Sequence, residues 1–259
     1  MRIDFLETMP GNKELTNRIA DGIIEKEGTG FMKRYQFLLF DADGTLLDFD
    51  RCEEKALRDT LLFYGISDCG ETIACYHQIN AALWERFNCG EIDRPYLLRR
   101  RFEQLCEQLG CSEDPERMNR YYMEQLSQHA DLLEESAEIC NILHKKYKLY
   151  IITNGASLTQ HGRFRVCPLT PLFENIFISE DMGVQKPQKA YFDAVAAAIP
   201  GFDSQQALVI GDSLSSDILG ANHANLDCCW YNPKALSNHS DAFCTYEIRR
   251  LRDLLEILP

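Results

Sequence analysis

Short apolar runs alternate with helical patterns along most of the chain. Runs of strand length, each followed by turn or charged residues, lie at Tyr35–Phe40, Lys148–Thr153, Ile176–Ser179, Ala207–Gly211 and Asp227–Tyr231. Between several of them the apolar spacing is helical: Tyr191, Val195 and Ala198 share a face within Tyr191–Ile199, and Ser215–Ala224 reads as a second helix. Alternation of this kind predicts an α/β protein with a doubly wound parallel sheet covered on both faces. Near the end, Ile248, Leu251, Leu255 and Leu258 recur at helical spacing and predict a helix over Glu247–Leu258.

One gap breaks the alternation. From Asp50 to about Ser136 no strand pattern occurs; instead helical segments run over Cys52–Tyr64, Glu71–Phe87, Arg94–Leu109 and Pro115–Gln128. Tyr64-Gly65, Cys89-Gly90 and Leu109-Gly110 mark the turns between them. The expected organisation is therefore an α/β core made of residues 32–50 and 136–259, with residues 51–135 inserted as an α-helical cap above the sheet. Residues 1–31 form an extension with two readings. Leu15, Ile19 and Ile23 fit a short docked amphipathic helix; alternatively, Lys26-Glu27-Gly28 is encoded by a purine-rich ribosome-binding sequence and translation starts at Met32.

Composition narrows the class. With 45% hydrophobic and 26% charged residues, the 259-residue chain has ample material for a packed core. A formal charge of −13 argues against a chain built to grip a nucleic acid polymer or an anionic membrane. A small anionic substrate stays compatible if one pocket is locally positive. No stretch reaches the roughly 18–20 apolar residues of a membrane span, and MRIDFLETMPGNKEL lacks the apolar core of a secretory signal. The eleven cysteines are scattered, with no zinc-type spacing, and read as reduced thiols of a cytoplasmic protein, most of them core filler.

In an open α/β sheet, ligands gather at the carboxyl ends of the strands. Here those ends are consistent in kind. Asp41 and Asp43 follow the first run, and Thr153, Asn154 and Gly155 the second; Asp212 ends the run ALVIG, with Asp217 five residues on. Lys186 precedes a proline in VQKPQKAYF. Brought to one sheet edge, these residues set three or four carboxylates against one lysine. Such an oxygen-only set suits a hard cation such as Mg²⁺ sharing the oxygens of a phosphate.

DADGT, TNG, QKP and GDSLSSD, in that order, resemble the four signature motifs of the haloacid dehalogenase superfamily of phosphotransferases. The resemblance covers Phe37 to about Pro233 and implies a Rossmann-like core with a helical cap after the first strand. On these residues it implies that Asp41 is the nucleophile that becomes an aspartyl-phosphate and that Asp43 is the general acid and base. It also implies that Thr153 and the Asn154 amide hold phosphoryl oxygens and that Lys186 neutralises charge and keeps Asp41 in place. Mg²⁺ would sit between the Asp41 carboxylate, the Asp43 main-chain carbonyl and Asp212, with Asp217 acting through a bound water. The dehalogenases of the superfamily lack the second aspartate, so Asp43 favours phosphate chemistry.

Longer stretches resemble one branch, the cytosolic pyrimidine 5′-nucleotidases: LWERFNCGEI, TNGASLTQHGR, LTPLFENIFISEDMGVQKP, IPGFDSQQALVIGDSLSSDI and TYEIRRL. FRVCP, Phe164–Pro168, departs from that branch, whose members carry a more regular helix there. The implied partner is a small phosphorylated metabolite, a nucleoside monophosphate. Sugar-phosphate or phosphoglycolate phosphatase, phosphomutase, and a non-enzymatic phosphometabolite-binding protein remain as alternatives. In the cap, Trp84, Phe87 and Arg99–Arg101 offer stacking and positive charge, although Leu83, Trp84 and Phe87 at helical spacing read first as packing. Gln160 and Arg163 are placed at the entrance, Glu134 and Glu135 at a solvated hinge, and Asp48 and Asp50 on a surface turn. None of the six histidines is assigned a role.

Overall fold

The computed structural model describes residues 35–258, together with a short antiparallel ladder pairing Ile19–Ala20 with Ile23–Ile24. At Ile19 and Ile23 the backbone is extended, which corrects the docked-helix expectation at those positions; Leu15 and Met32 lie outside the described residues.

Six strands make one parallel sheet: β1 (Phe37–Asp41), β2 (Lys148–Thr153), β3 (Asn175–Ile178), β4 (Ala207–Gly211), β5 (Asp227–Tyr231) and β6 (Tyr246–Ile248). Their order is β3-β2-β1-β4-β5-β6, so β1 is central. All five residues of β1 are buried because both of its faces are covered. Leu38 and Phe40 pack on one face with Ile139, Leu143, Leu251 and Leu254; Phe37 and Leu39 pack on the other with Tyr191, Val195 and Ile218. Asp41 lies level with Ile152 of β2, and Phe40 level with Ile210 of β4. The chemistry-bearing residues of three strands therefore finish at the same edge.

After β1 the chain builds four helices in succession, α1 (Phe49–Phe63), α2 (Gly70–Asn88), α3 (Arg94–Leu109) and α4 (Pro115–Leu126). Their ends are locally encoded. Asp48, Asp93 and Asp114 accept hydrogen bonds from first-turn N–H groups, proline follows in α3 and α4, and Gly110 takes the left-handed conformation that stops α3. The four helices share a separate apolar core that includes Leu57, Tyr76, Leu83, Phe87, Phe102 and Tyr122.

The helices of the α/β body follow: α5 (Ser136–Leu143), α6 (Ser157–Val166), α7 (Ser179–Met182), α8 (Lys189–Ala198), α9 (Leu219–His223) and α10 (Leu254–Ile257). A π turn over Leu214–Ile218 leads into α9. The helix predicted over Glu247–Leu258 is only partly formed. Tyr246–Ile248 instead adds β6 to the open edge of β5, where Cys229, Trp230 and Tyr231 supply partners, and helix begins only after Arg250. An available sheet edge outweighed a weak helical periodicity, because aromatic and β-branched residues pack well on a pleated surface. Six of the eleven cysteines are buried, Cys228 and Cys229 inside β5. No described helix is long and apolar enough to cross a membrane.

Candidate active site

Lys186 lies in the loop between α7 and α8, just before a cis peptide bond to Pro187. Its backbone is fixed by Asn154, whose Oδ1 accepts the Lys186 N–H (3.0 Å) while its Nδ2 donates to the Lys186 carbonyl (2.9 Å). The ammonium is fully buried and uses all three of its protons. It donates to Asp41 Oδ1 (2.6 Å), to Asp217 Oδ1 (2.6 Å) and to the Ile152 carbonyl (3.0 Å). Burial opposes its charge, but Asp217 and Asp41 outweigh that and raise its pKa, so Lys186 is a cation.

Asp217, in the π turn, also accepts the Ser213 N–H on Oδ2 (3.1 Å). Asp212 stands beside it, its Oδ1 accepting from Thr45 Oγ1 (3.4 Å) and its carbonyl from Trp230 Nε1 (2.9 Å). Two glycines make room for these acids. Gly44 has φ +82°, and a Cβ there would lie 2.5 Å from Asp212 Oδ2; a Cβ on Gly211 would lie 2.3 Å from Asp217 Oδ2.

Carboxylate oxygens of Asp41, Asp212 and Asp217 come within 4.8 Å of one another. Three carboxylates against one ammonium leave two uncompensated negative charges, and the protein alone bears the cost. Burial, then Asp217, pushes Asp212 up to about 7; burial, offset in part by Lys186, raises Asp41. A divalent cation bound by oxygen relieves both, so the donor set fits magnesium in number, charge and chemistry.

Asp43 turns to a different partner. Arg163 Nη1 donates to Asp43 Oδ1, and Gln160 Nε2 donates to Asp43 Oδ2 (2.9 Å). Gln160 and Arg163 were expected at the entrance; both are instead buried on α6, Arg163 completely. This corrects the electrostatic count from the sequence, which set one cation against carboxylates that pair with two, Lys186 and Arg163. Only the spacing of Gln160 and Arg163, three apart on the helix after the threonine motif, hinted at a shared direction.

These groups face a cavity of about 310 Å³ that lies between the core and the cap. Trp84, Asn88, Leu98, Arg101 and Met123 line its cap side. Leu83 and Phe87 are packed inside the cap, as their spacing indicated. Among the three arginines, Arg101 is the buried one that reaches the cavity; Arg99 and Arg100 pair with Glu103 and Glu107 on the surface. Asp50 borders the cavity and Asp48 caps α1. Glu135 is more than a solvated hinge residue, since its Oε2 accepts the Arg252 N–H (3.1 Å). The sequence also gave no sign of Arg94, which reaches from the start of α3 to the core and donates to Ser179 Oγ (2.8 Å) and the Gly155 carbonyl (3.3 Å). Phe164 and Cys167 of the divergent FRVCP stretch are buried in the core, away from the cavity.

The profile of the haloacid dehalogenase-like hydrolases matches residues 35–225. The HAD-hydrolase YfnB of Bacillus subtilis is 40% identical over 227 residues, 88% of this chain and 97% of its own length. Its magnesium-bound crystal structure, which reveals interdomain movement, aligns with a TM-score of 0.84 over 87% of this chain and 99% of that one. The pyrimidine 5′-nucleotidase PynA of Streptococcus pneumoniae is 37% identical over 86% of this chain and 95% of its own. The pyrimidine 5′-nucleotidase YjjG of Escherichia coli is 30% identical over 87% and 98%. With the family profile spanning most of the chain, and relatives 30–40% identical along nearly their whole length, the chain belongs to the haloacid dehalogenase-like hydrolases.

Proposed function

We propose that this hydrolase cleaves small phosphomonoesters, pyrimidine nucleoside 5′-monophosphates above all, through an aspartyl-phosphate on Asp41. The observation that carries the reading is the buried contact of Lys186 with Asp41 and Asp217, at the edge of a cavity where a second strand-end carboxylate, Asp43, has donors of its own. In the first step an Asp41 oxygen attacks phosphorus, the bond from phosphorus to the ester oxygen breaks, and Asp43 gives that oxygen its proton. In the second, water attacks the phosphorus, Asp43 takes its proton, and the bond to Asp41 breaks. Ester and water become alcohol and inorganic phosphate. Halide departure needs no such proton, so a second carboxylate in this place favours phosphate.

Lys186 meets the charge that grows on the transferring group and fixes the attacking carboxylate. The Thr153 hydroxyl and the Asn154 amide hold the remaining oxygens. Asp41, the Asp43 main-chain carbonyl and Asp212 would hold magnesium, with Asp217 acting through a bound water. When bound, the ion neutralises phosphoryl charge and lets the carboxylates stay ionised together. Cap closure excludes water during transfer.

The substrate class rests on PynA and YjjG, named pyrimidine 5′-nucleotidases, and on the cap side of the cavity, where the Trp84 ring and the amides of Asn80 and Asn88 offer stacking and hydrogen bonds. The partner is a small cytoplasmic metabolite. The test is phosphate release from nucleoside monophosphates and sugar phosphates, each with Mg²⁺ and with EDTA, and with Asp41→Asn alongside. Mg²⁺-dependent release mainly from UMP, dUMP or dTMP, absent in the variant, supports the reading. Preference for sugar phosphates or phosphoglycolate refutes the substrate class and keeps the chemistry. No release from any ester refutes both.

A further inference from the structure

We infer that Gln160 and Arg163 are positioning residues for the reaction: Arg163 orients the Gln160 amide, and together they hold the Asp43 carboxylate and turn the Thr153 hydroxyl towards the phosphoryl group. The inference rests on the roles proposed above for Asp43 and Thr153.

The hydrogen bonds leave little freedom. Arg163 Nη1 donates to Gln160 Oε1 (3.1 Å) as well as to Asp43 Oδ1. A guanidinium carries only donors, so the carbonyl end of the Gln160 amide must face it. The Nε2 end is then committed to Asp43 Oδ2 (2.9 Å) and Thr153 Oγ1 (2.7 Å). Thr153 Oγ1 also accepts the Gly155 N–H (3.0 Å). With both acceptor positions of that oxygen filled, its own proton is left to donate elsewhere, as a group that grips a phosphoryl oxygen must. When Asp43 gives its proton to the leaving oxygen, the carboxylate that forms already has a donor on each oxygen, so no side chain has to reorganise during the step.

The location of Arg163 extends the argument to the cap. Its Nε donates to the His129 carbonyl (2.9 Å) just after α4, and its guanidinium lies 5.7 Å from the Phe49 ring centroid at the start of α1. A Cβ on the adjacent Gly162 would lie 2.5 Å from Ser127 Cβ. Helix α6 is thus packed against both crossings between core and cap, and Arg163 joins those crossings to Asp43. From Arg163 the chain of donors continues through Gln160 to Thr153, so these crossings are tied to both groups whose roles the inference concerns.

The test compares kcat/KM for uridine 5′-monophosphate, whose alkoxide needs a proton as it leaves, with kcat/KM for p-nitrophenyl phosphate, whose phenoxide does not. Both constants end at transfer to Asp41, so their ratio isolates Asp43 and cancels any loss shared through Thr153. Asp43→Asn sets the scale and should lower the ratio by about 10²-fold or more. An unchanged ratio in that variant removes the proposed role of Asp43 itself, and the positioning with it. Given that scale, Gln160→Met and Arg163→Met should each lower the ratio by about 10- to 100-fold, with partial recovery in Arg163→Lys. Equal losses on both substrates in these variants, leaving the ratio at the wild-type value, would overturn the inference and make the two residues packing. If Arg163→Met fails to fold, Gln160→Met, which removes no charge, decides alone. If uridine 5′-monophosphate is not turned over, ribose 5-phosphate, also an alkyl ester, takes its place.

Discussion

Lys186 Nζ and Asp41 Oδ1 meet at 2.6 Å, from positions 145 residues apart in the chain. Both side chains are buried, and the same ammonium holds Asp217 on its other side. The lysine therefore does two jobs at once. It keeps the attacking carboxylate in one rotamer, and it is the compensating charge that allows two acids to be buried together.

Lys186→Met should cost about 3–5 kcal/mol, because breaking a buried pair from one side leaves the acids uncompensated. Added Mg²⁺ should restore part of the loss, since a divalent cation at Asp41 and Asp212 supplies the missing charge. Thermal unfolding of the variant with Mg²⁺ and with EDTA measures this. A midpoint equal to wild type in EDTA would show that Lys186 carries none of the burial cost.

Arg94 joins cap to core through Ser179, Gly155 and Glu180, beside neutral bonds of Asn154 to Asn88 (3.2 Å) and Gln185 to the Phe87 carbonyl (3.3 Å). Arg94→Ala should favour an opened cap. KM should rise about tenfold, the equivalent of one charged hydrogen bond, with a smaller fall in kcat. Steady-state kinetics with small-angle scattering of the free enzyme would check both effects. Unchanged KM and unchanged dimensions would mean that Arg94 does not set the cap position.

His77 Nδ1 donates to Glu53 Oε2 (2.5 Å) inside the cap. The bond to Glu53 raises the His77 pKa, against the opposing effect of burial. A group whose folded pKa exceeds its unfolded value stabilises below the unfolded value, here about 6.5, and loses that contribution as pH climbs through the folded value. The difference in melting temperature between wild type and His77→Gln should therefore be largest near pH 5.5 and shrink as the pH is raised. A difference that grows with pH would count against the pair.

The strand ends, the motif order and the inserted helices were legible because each depends on neighbours within a few residues. Asp41 follows an apolar run that can only be an interior strand, and Asp48, Asp93 and Asp114 mark their helices from one turn away. Glu247 and Ile248 read as helix from the sequence because Ile248 fits a helical spacing equally well, and only the open edge of β5 decided between the two.

By itself, then, the sequence determined which residues stand at the carboxyl ends of the strands and that a helical unit is inserted above them, because period and capping are local properties of the chain. Only the tertiary structure decided how the charges pair. Arg163 meets Asp43 across 120 residues and Arg94 meets Ser179 across 85, and a contact of that span leaves no periodic trace in the sequence. Burial then makes those pairings obligatory, since a guanidinium or carboxylate taken out of water must find a partner wherever the fold supplies one.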